Sequence, residues 1–270
     1  MMARACVIVS WLMVFSSPAR AGVVPLPHAH AHNDYRHDRP LLEALQHGFT
    51  SVEADVFLVG QKLCVAHDAD KIKPERTLRS LYLEPLRRRV KQNGGHVYPT
   101  KSRFLLLVDF KSAAEPTYRR LHEILAEYRD VVTSFGPQGR KEQAVLVIIS
   151  GNRPLELMKS QAVRYAGYDG RLSDLESDLP ADVMPLISDR WGAHFTWRGA
   201  GPMPVAEREK LEAVVKAAHA KGRLVRFWAT PDARSATRQV LWRGLLSAGV
   251  DLINTDDLEG LKTFLLEHGR

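Results

Sequence analysis

Phe104-Leu105-Leu106-Leu107-Val108-Asp109-Phe110-Lys111 runs through an unbroken apolar stretch before its first charge. A run this apolar suits a strand buried on both faces, as in a parallel sheet covered by helices. Working outward, the same kind of segment recurs. Val52–Val59 reads as a strand that turns at Gly60 and continues through Leu63–Ala66. Ala144–Ile149, Val163–Tyr168, Val183–Ile187, Leu224–Trp228 and Val250–Asn254 follow, and Val23–Ala29 precedes them all.

Helical patterns lie between these segments. Asp38 is placed to cap a helix through His47, with Pro40 in its first turn and Gly48 as its stop. Pro116–Tyr128 is helical in pattern. Val205–Lys221 sets Leu211, Val214, Val215 and Ala218 at i, i+3, i+4 and i+7, and Gly222 ends it. Ser235–Ser247 and Asp257–His268 complete the set. Eight strand candidates alternating with helices predict a single-domain (β/α)8 barrel, which needs ~250 residues. A doubly wound open sheet is the competing architecture.

The first 21 residues read differently. Arg4, the apolar run Ala5–Phe15 and the small residues Ala19-Arg20-Ala21 make a secretory signal peptide cut before Gly22. The run is shorter than the ~20 residues a membrane span needs, although a retained N-terminal anchor is the alternative. The barrel is then assigned to residues 22–270. Without the leader the chain has 249 residues, its net charge drops from +7 to +5, and Cys64 is its single cysteine. The expected location is periplasmic or extracellular. No internal disulfide is available there, so the core must suffice. With 26% charged and 45% hydrophobic residues, the chain is too polar for a polytopic membrane protein and too apolar for a disordered one. Its basic residues form no long run, which gives no support for nucleic-acid binding. Arg87-Arg88-Arg89 with Lys91 reads as a solvated helix face.

Polar residues interrupt the strands at their C-terminal ends, where barrel active sites form. Glu53 and Asp55 are two apart and share a strand face. Such carboxylates on an apolar strand repel unless a cation neutralises them, and a hard ion suits oxygen ligands. Asp109 supplies a third from the next main strand. The plain alternative is a pair of surface carboxylates matched by lysines. Lys111, two beyond Asp109, can neutralise a phosphate oxygen or close a salt bridge to Asp109. His28, His30 and His32 share a face if their segment is a strand, and His67-Asp68 lies on a later loop. Two histidines across a substrate suit general acid and base work at neutral pH. His96, His122, His219 and His268 read as ordinary structural or exposed residues.

His32-Asn33, Glu53-Ala54-Asp55, His67-Asp68 and Asp109-Phe110-Lys111 occur in an order that resembles the glycerophosphodiester phosphodiesterase-like superfamily, which includes the phosphatidylinositol-specific phospholipases C. Within it, the chain looks like the group named after altered inheritance of mitochondria protein 6. That likeness rests on His30–Tyr35, Pro40–Leu45, Ser51–Val56, Tyr82–Leu86, Phe227–Pro231 and Gly249–Asp256. The resemblance implies His32 and His67 as catalytic residues and Glu53, Asp55 and Asp109 as ligands of Mg²⁺ or Ca²⁺. It places Asn33, Lys111 and Trp228 against the substrate. His30 is the alternative to His32. The usual diesterase has Arg where this chain has Asn33 and Glu where it has Asp109. Both departures look like the sphingomyelinase D branch.

The function expected is metal-dependent hydrolysis of a small phosphodiester or phospholipid-derived substrate by a monomer. A lyase that releases a cyclic phosphate and a non-catalytic periplasmic binding barrel are the alternatives. A third reading takes His28-Ala29-His30 and His30-Ala31-His32 as transition-metal pairs. It wants a late histidine, and Asn254-Thr255-Asp256-Asp257 offers none. Arg153, Asp169, Asp189, Arg190, Trp191 and Trp197 are further strand-end candidates for specificity.

Overall fold

A computed structural model describes residues 22–268, so the expected leader at 1–21 lies outside the described residues. Eight parallel strands form a ring: β1 Leu26–Ala31, β2 Phe49–Val59, β3 Phe104–Phe110, β4 Val145–Gly151, β5 Gly167–Gly170, β6 Leu186–Arg190, β7 Leu224–Trp228 and β8 Leu252–Thr255. β1 pairs with β2 on one side and with β8 on the other, which closes the sheet into a (β/α)8 barrel. The helices are α1 Leu42–Gln46, α2 Glu84–Gln92, α3 Ala114–Ala126, α4 Leu155–Ser160, α5 Trp191–His194, α6 Val205–Ala220, α7 Ala236–Ser247 and α8 Leu258–His268. After β5 a 3-10 turn at Leu172–Asp174 stands in place of a helix. No helix among the described residues is long and apolar enough to cross a membrane.

The period of two explains the layering. Leu106, Val108, Val147, Ile149, Val225 and Phe227 point outward into the apolar layer beneath the helices. Leu105, Leu107, Leu146, Ile148, Leu186 and Leu252 point inward and fill the lower lumen. The upper lumen is polar, because the inward positions there are His30, Glu53, Ser150, Asp169, Ser188 and Arg226, all buried.

β3 and β7 match their sequence readings. β5 starts at Gly167 rather than Val163, because Arg164 bonds back to Phe135 through N–H and C=O, each at 2.8 Å. β1 starts at Leu26 rather than Val23 and runs on to Ala31. The segment Leu63–Ala66 becomes an antiparallel strand at Lys62–Val65, hairpinned onto the end of β2. α6 buries Leu211, Val214, Val215 and Ala218, as its spacing requires.

The entry to α1 departs from expectation. Asp38 is exposed, and the helix starts only at Leu42. Asp34 does the work instead. Its Oδ2 accepts from the Leu41 N–H at 2.6 Å and from the Tyr82 hydroxyl at 2.9 Å, holding Leu41 at a φ of 64°. Its Oδ1 is buried without a partner. Burial pushes this carboxyl up to about 7, from an ordinary 3.8. Between those values the folded protein keeps a proton that the unfolded chain has lost. Stability therefore falls as pH rises from about 4 to about 7, by roughly 4 kcal/mol at most. Asp34→Asn removes that loss. The melting midpoint of the variant minus that of wild type is expected to rise between pH 5 and pH 8. A difference constant across that range would refute the assignment.

Candidate active site

The C-terminal ends of the strands surround a cavity of about 240 Å³. His32 and Asn33 reach it from the end of β1, and Glu53 and Asp55 from β2. Asp109 lies at the penultimate position of β3, with Lys111 just beyond the strand. Trp228 comes from β7, and His67 from the loop after the hairpin. All eight residues singled out for the site thus line one cavity. A larger cavity of about 400 Å³ opens at the opposite end, over Leu105, Leu224 and Leu252. It contains none of Glu53, Asp55 and Asp109, so the smaller cavity is the candidate site.

The barrel register creates the carboxylate cluster. Asp55 pairs with Asp109 across β2 and β3. One oxygen each of Glu53, Asp55 and Asp109 lies within 4.8 Å of the others. Burial pushes Asp55 up to about 6, helped by the charge of Glu53, and raises Asp109 as well. Lys111 Nζ sits between them, 3.2 Å from Asp55 Oδ2 and 3.0 Å from Asp109 Oδ1. Asp55 Oδ1 is buried and has no partner among the described residues. A hard-oxygen cluster with an orphaned, buried carboxylate oxygen fits a divalent cation. Gly151 makes room for the Asp109 carboxylate: at φ 67°, a Cβ there would stand 2.3 Å from Asp109 Oδ1.

Glu53 meets a partner that the sequence reading missed. Arg226 Nη1 donates to its Oε2 at 2.7 Å, with both side chains buried. Burial alone would raise Glu53, but Arg226 outweighs it and holds the carboxyl well below the usual range. The same Nη1 lies 2.7 Å from His30 Nε2, so that nitrogen accepts and Nδ1–H donates to Ser51 Oγ at 2.7 Å. Burial and Arg226 together push His30 down to about 4. His30 is therefore a neutral core residue. His28 faces the other end of the barrel and bonds the Asp251 carbonyl at 2.9 Å. The two do not form a metal pair.

His32 is the histidine of the cluster that reaches the cavity. Its Nδ1 bonds Asp256 Oδ1 at 2.7 Å, which turns Nε2 toward Glu53 Oε1 at 3.9 Å. Asn33 Nδ2 donates to the same Asp256 oxygen at 3.3 Å. Burial opposes a charge on His32, but Asp256 and Glu53 outweigh it, so the ring sits above its ordinary value. His67 Nδ1 bonds Asp68 Oδ1 at 2.9 Å. Each histidine thus has one nitrogen tied to a carboxylate and the other free.

Arg171 was also missed. It lines the cavity while bonding Asp169 Oδ2 at 2.8 Å. Its signal was its place two residues after Asp169, as the signal for Arg226 was its place two residues before Trp228. The other strand-end candidates divide. Arg153 stacks on Tyr168, Asp189 pairs with His194 at 3.0 Å, and Arg190 is exposed. Trp191 and Trp197 are packed into the core.

A closed (β/α)8 barrel thus gathers three carboxylates, two histidines and a lysine at its C-terminal face, and comparison with known families places it among phosphodiesterase-like domains. Residues 18–169 match the AIM6-like phosphodiesterase domain, and the chain belongs to that family. It is 32% identical to the altered inheritance of mitochondria protein 6 homolog of Arthroderma benhamiae, over 90% of this chain and 85% of that protein. It is 31% identical to altered inheritance of mitochondria protein 6 of Eremothecium gossypii, over 88% and 69%. Two solved structures share the fold. One is a calcium-dependent phosphoinositol-specific phospholipase C from a Pseudomonas species, with TM-score 0.52 and 12% identity over 86% of this chain and 90% of that one. The other is a glycerophosphoryl diester phosphodiesterase from Parabacteroides distasonis, with TM-score 0.52 and 13% identity over 92% and 88%.

Proposed function

We propose that this chain is a metal-dependent phosphodiesterase in which His32 and His67 act as base and acid. The observation that carries the reading is the carboxylate cluster, with its orphaned Asp55 oxygen, beside two histidines that each keep one nitrogen free. Glu53, Asp55 and Asp109 would hold the cation, Mg²⁺ or Ca²⁺. Bound there, it would neutralise charge on the non-bridging phosphate oxygens. The chain supplies the rest. Asp256 holds His32 so that Nε2 takes the proton from the attacking hydroxyl. As the new P–O bond forms, the bond to the leaving alkoxide breaks, and His67 protonates that oxygen. Lys111 and Arg171 contribute positive charge to the phosphate. Asn33 and Trp228 bound the rest of the substrate.

The cavity volume suits a small phosphodiester head group rather than a nucleic acid duplex. Action as a monomer is part of the same proposal. Export belongs to the same proposal, on the strength of the Arg4 to Ala21 leader pattern. The test is a panel of small phosphodiesters, including glycerophosphodiesters and lysophospholipids, assayed with Mg²⁺, with Ca²⁺ and with chelator. Turnover that needs a divalent ion is expected. Full turnover in chelator would overturn the metal reading, and no turnover of any diester would overturn the enzyme reading. Product analysis separates hydrolysis from release of a cyclic phosphate.

A further inference from the structure

Each carboxylate of the cluster has one oxygen tied and one left free. Glu53 Oε2 is held by Arg226 at 2.7 Å and approached by His30 at 3.4 Å. Its Oε1 meets only His32 Nε2, at 3.9 Å. Asp55 Oδ2 has the Tyr35 hydroxyl at 2.8 Å and Lys111 at 3.2 Å, and its Oδ1 has nothing. Asp109 Oδ1 has Lys111 at 3.0 Å, and Gly151 packs against it too closely to admit a Cβ.

We infer that these ties, that of Arg226 on Glu53 above all, make the site select a small six-coordinate ion such as Mg²⁺ over Ca²⁺. The inference rests on the metal-dependent reading above. Three carboxylates that each offer a single oxygen fill half of an octahedron and leave three positions for water and phosphate oxygens. Mg²⁺ favours that arrangement. Ca²⁺ takes six to eight oxygens and commonly draws both from a carboxylate. Glu53 cannot offer both while Arg226 holds one, and a buried ion pair with good geometry does not open cheaply. Arg226 also offsets one of the three negative charges, which disfavours the larger ion's reliance on a charge-rich cage. Arg226 is a positioning residue in this account. It is not required to touch the ion or the substrate, and it acts by fixing how Glu53 can bind. Its own place is fixed by β7, whose Arg226 lies in register with Ser188 of β6 and Leu252 of β8.

The test is calorimetric titration of the chelator-stripped protein with Mg²⁺ and, separately, with Ca²⁺. Wild type is expected to bind Mg²⁺ more tightly. Arg226→Met keeps an unbranched stem but removes the guanidinium, and so frees Glu53 Oε2. It is expected to move the ratio of the two dissociation constants toward Ca²⁺ by about tenfold or more, the usual scale for a residue behind a ligand. Arg226→Lys keeps the charge but loses the planar fork. It is expected to move the ratio the same way by less, and it serves if the methionine variant does not fold, as judged by its circular dichroism. A wild type that prefers Ca²⁺ would overturn the inference. So would a ratio unchanged in a folded variant, even if both affinities fall. Binding of neither ion to wild type would instead overturn the metal reading on which it rests.

Discussion

Replacing His32 or His67 with alanine is expected to lower phosphodiester turnover by ~10²–10⁴-fold, the usual worth of a positioned acid or base. Both side chains stand at the lip of the cavity, with His32 29% and His67 46% exposed, so neither truncation opens a core void. Melting midpoints near that of wild type should accompany the loss. The cost should fall on kcat more than on KM, because in the proposed mechanism each histidine works when a proton moves. Asp256→Asn separates positioning from chemistry. Asp256 helps to hold His32 above its ordinary value, so its loss moves the rising limb of the pH–rate profile to lower pH. Near wild-type turnover in both alanine variants would sink the acid–base assignment. A pH limb unmoved in Asp256→Asn would remove Asp256 from it.

Asp55→Asn carries the second large effect, and it acts in two directions. The variant loses the proposed ligand whose Oδ1 is buried without a partner among the described residues, so divalent binding should be lost. Wild type should gain about 2.7 kcal/mol of stability at a metal concentration of 100 Kd, and the variant should gain none. Turnover should fall ~10²-fold or more, in line with removal of the main charge stabilisation. In metal-free buffer the sign reverses. Burial and Glu53 push the folded Asp55 carboxyl up to about 6, from an ordinary 3.8. The folded protein therefore loses stability as pH rises through that interval, and at pH 7 the cost is fully present. Asn bears no such cost, so the stripped variant should melt a few degrees above the stripped wild type. Differential scanning calorimetry with and without metal reads both. A variant that melts lower without metal, yet still gains from it, would refute the ligand role.

The residues that were legible in the sequence announce themselves locally. Phe104–Val108 is apolar on both faces, and that pattern requires a covered parallel sheet. Glu53 and Asp55 stand at alternate positions of an apolar strand, so they had to share a face. The residues that were missed owe their meaning to closure. Arg226 meets Glu53 across 173 positions of chain, and Asp256 meets His32 across 224. Nothing in Leu224-Val225-Arg226-Phe227-Trp228 says which inward group will stand opposite, because that depends on how the ring of strands is staggered. Asp34 was passed over for Asp38 for a related reason. Capping patterns reward the nearer residue, whereas the Tyr82 hydroxyl that completes the Asp34 site comes from 48 residues downstream.

The hairpin at Lys62–Val65 gives the two histidines different mechanical supports. His32 belongs to the ring itself, since its N–H bonds the Thr255 carbonyl of β8 at 3.0 Å. His67 hangs from an extension of β2 that stands outside the ring, tethered where Ala66 N–H meets the Asp55 carbonyl at 3.2 Å. In the proposed mechanism the base is therefore anchored to the ring of strands, and the acid to an appendage. Lengthening or retyping that appendage alters the reach of His67 without disturbing the stagger of the barrel. On that mechanism, accommodation of different leaving groups would be a property of one short loop, open to change independently of the rest.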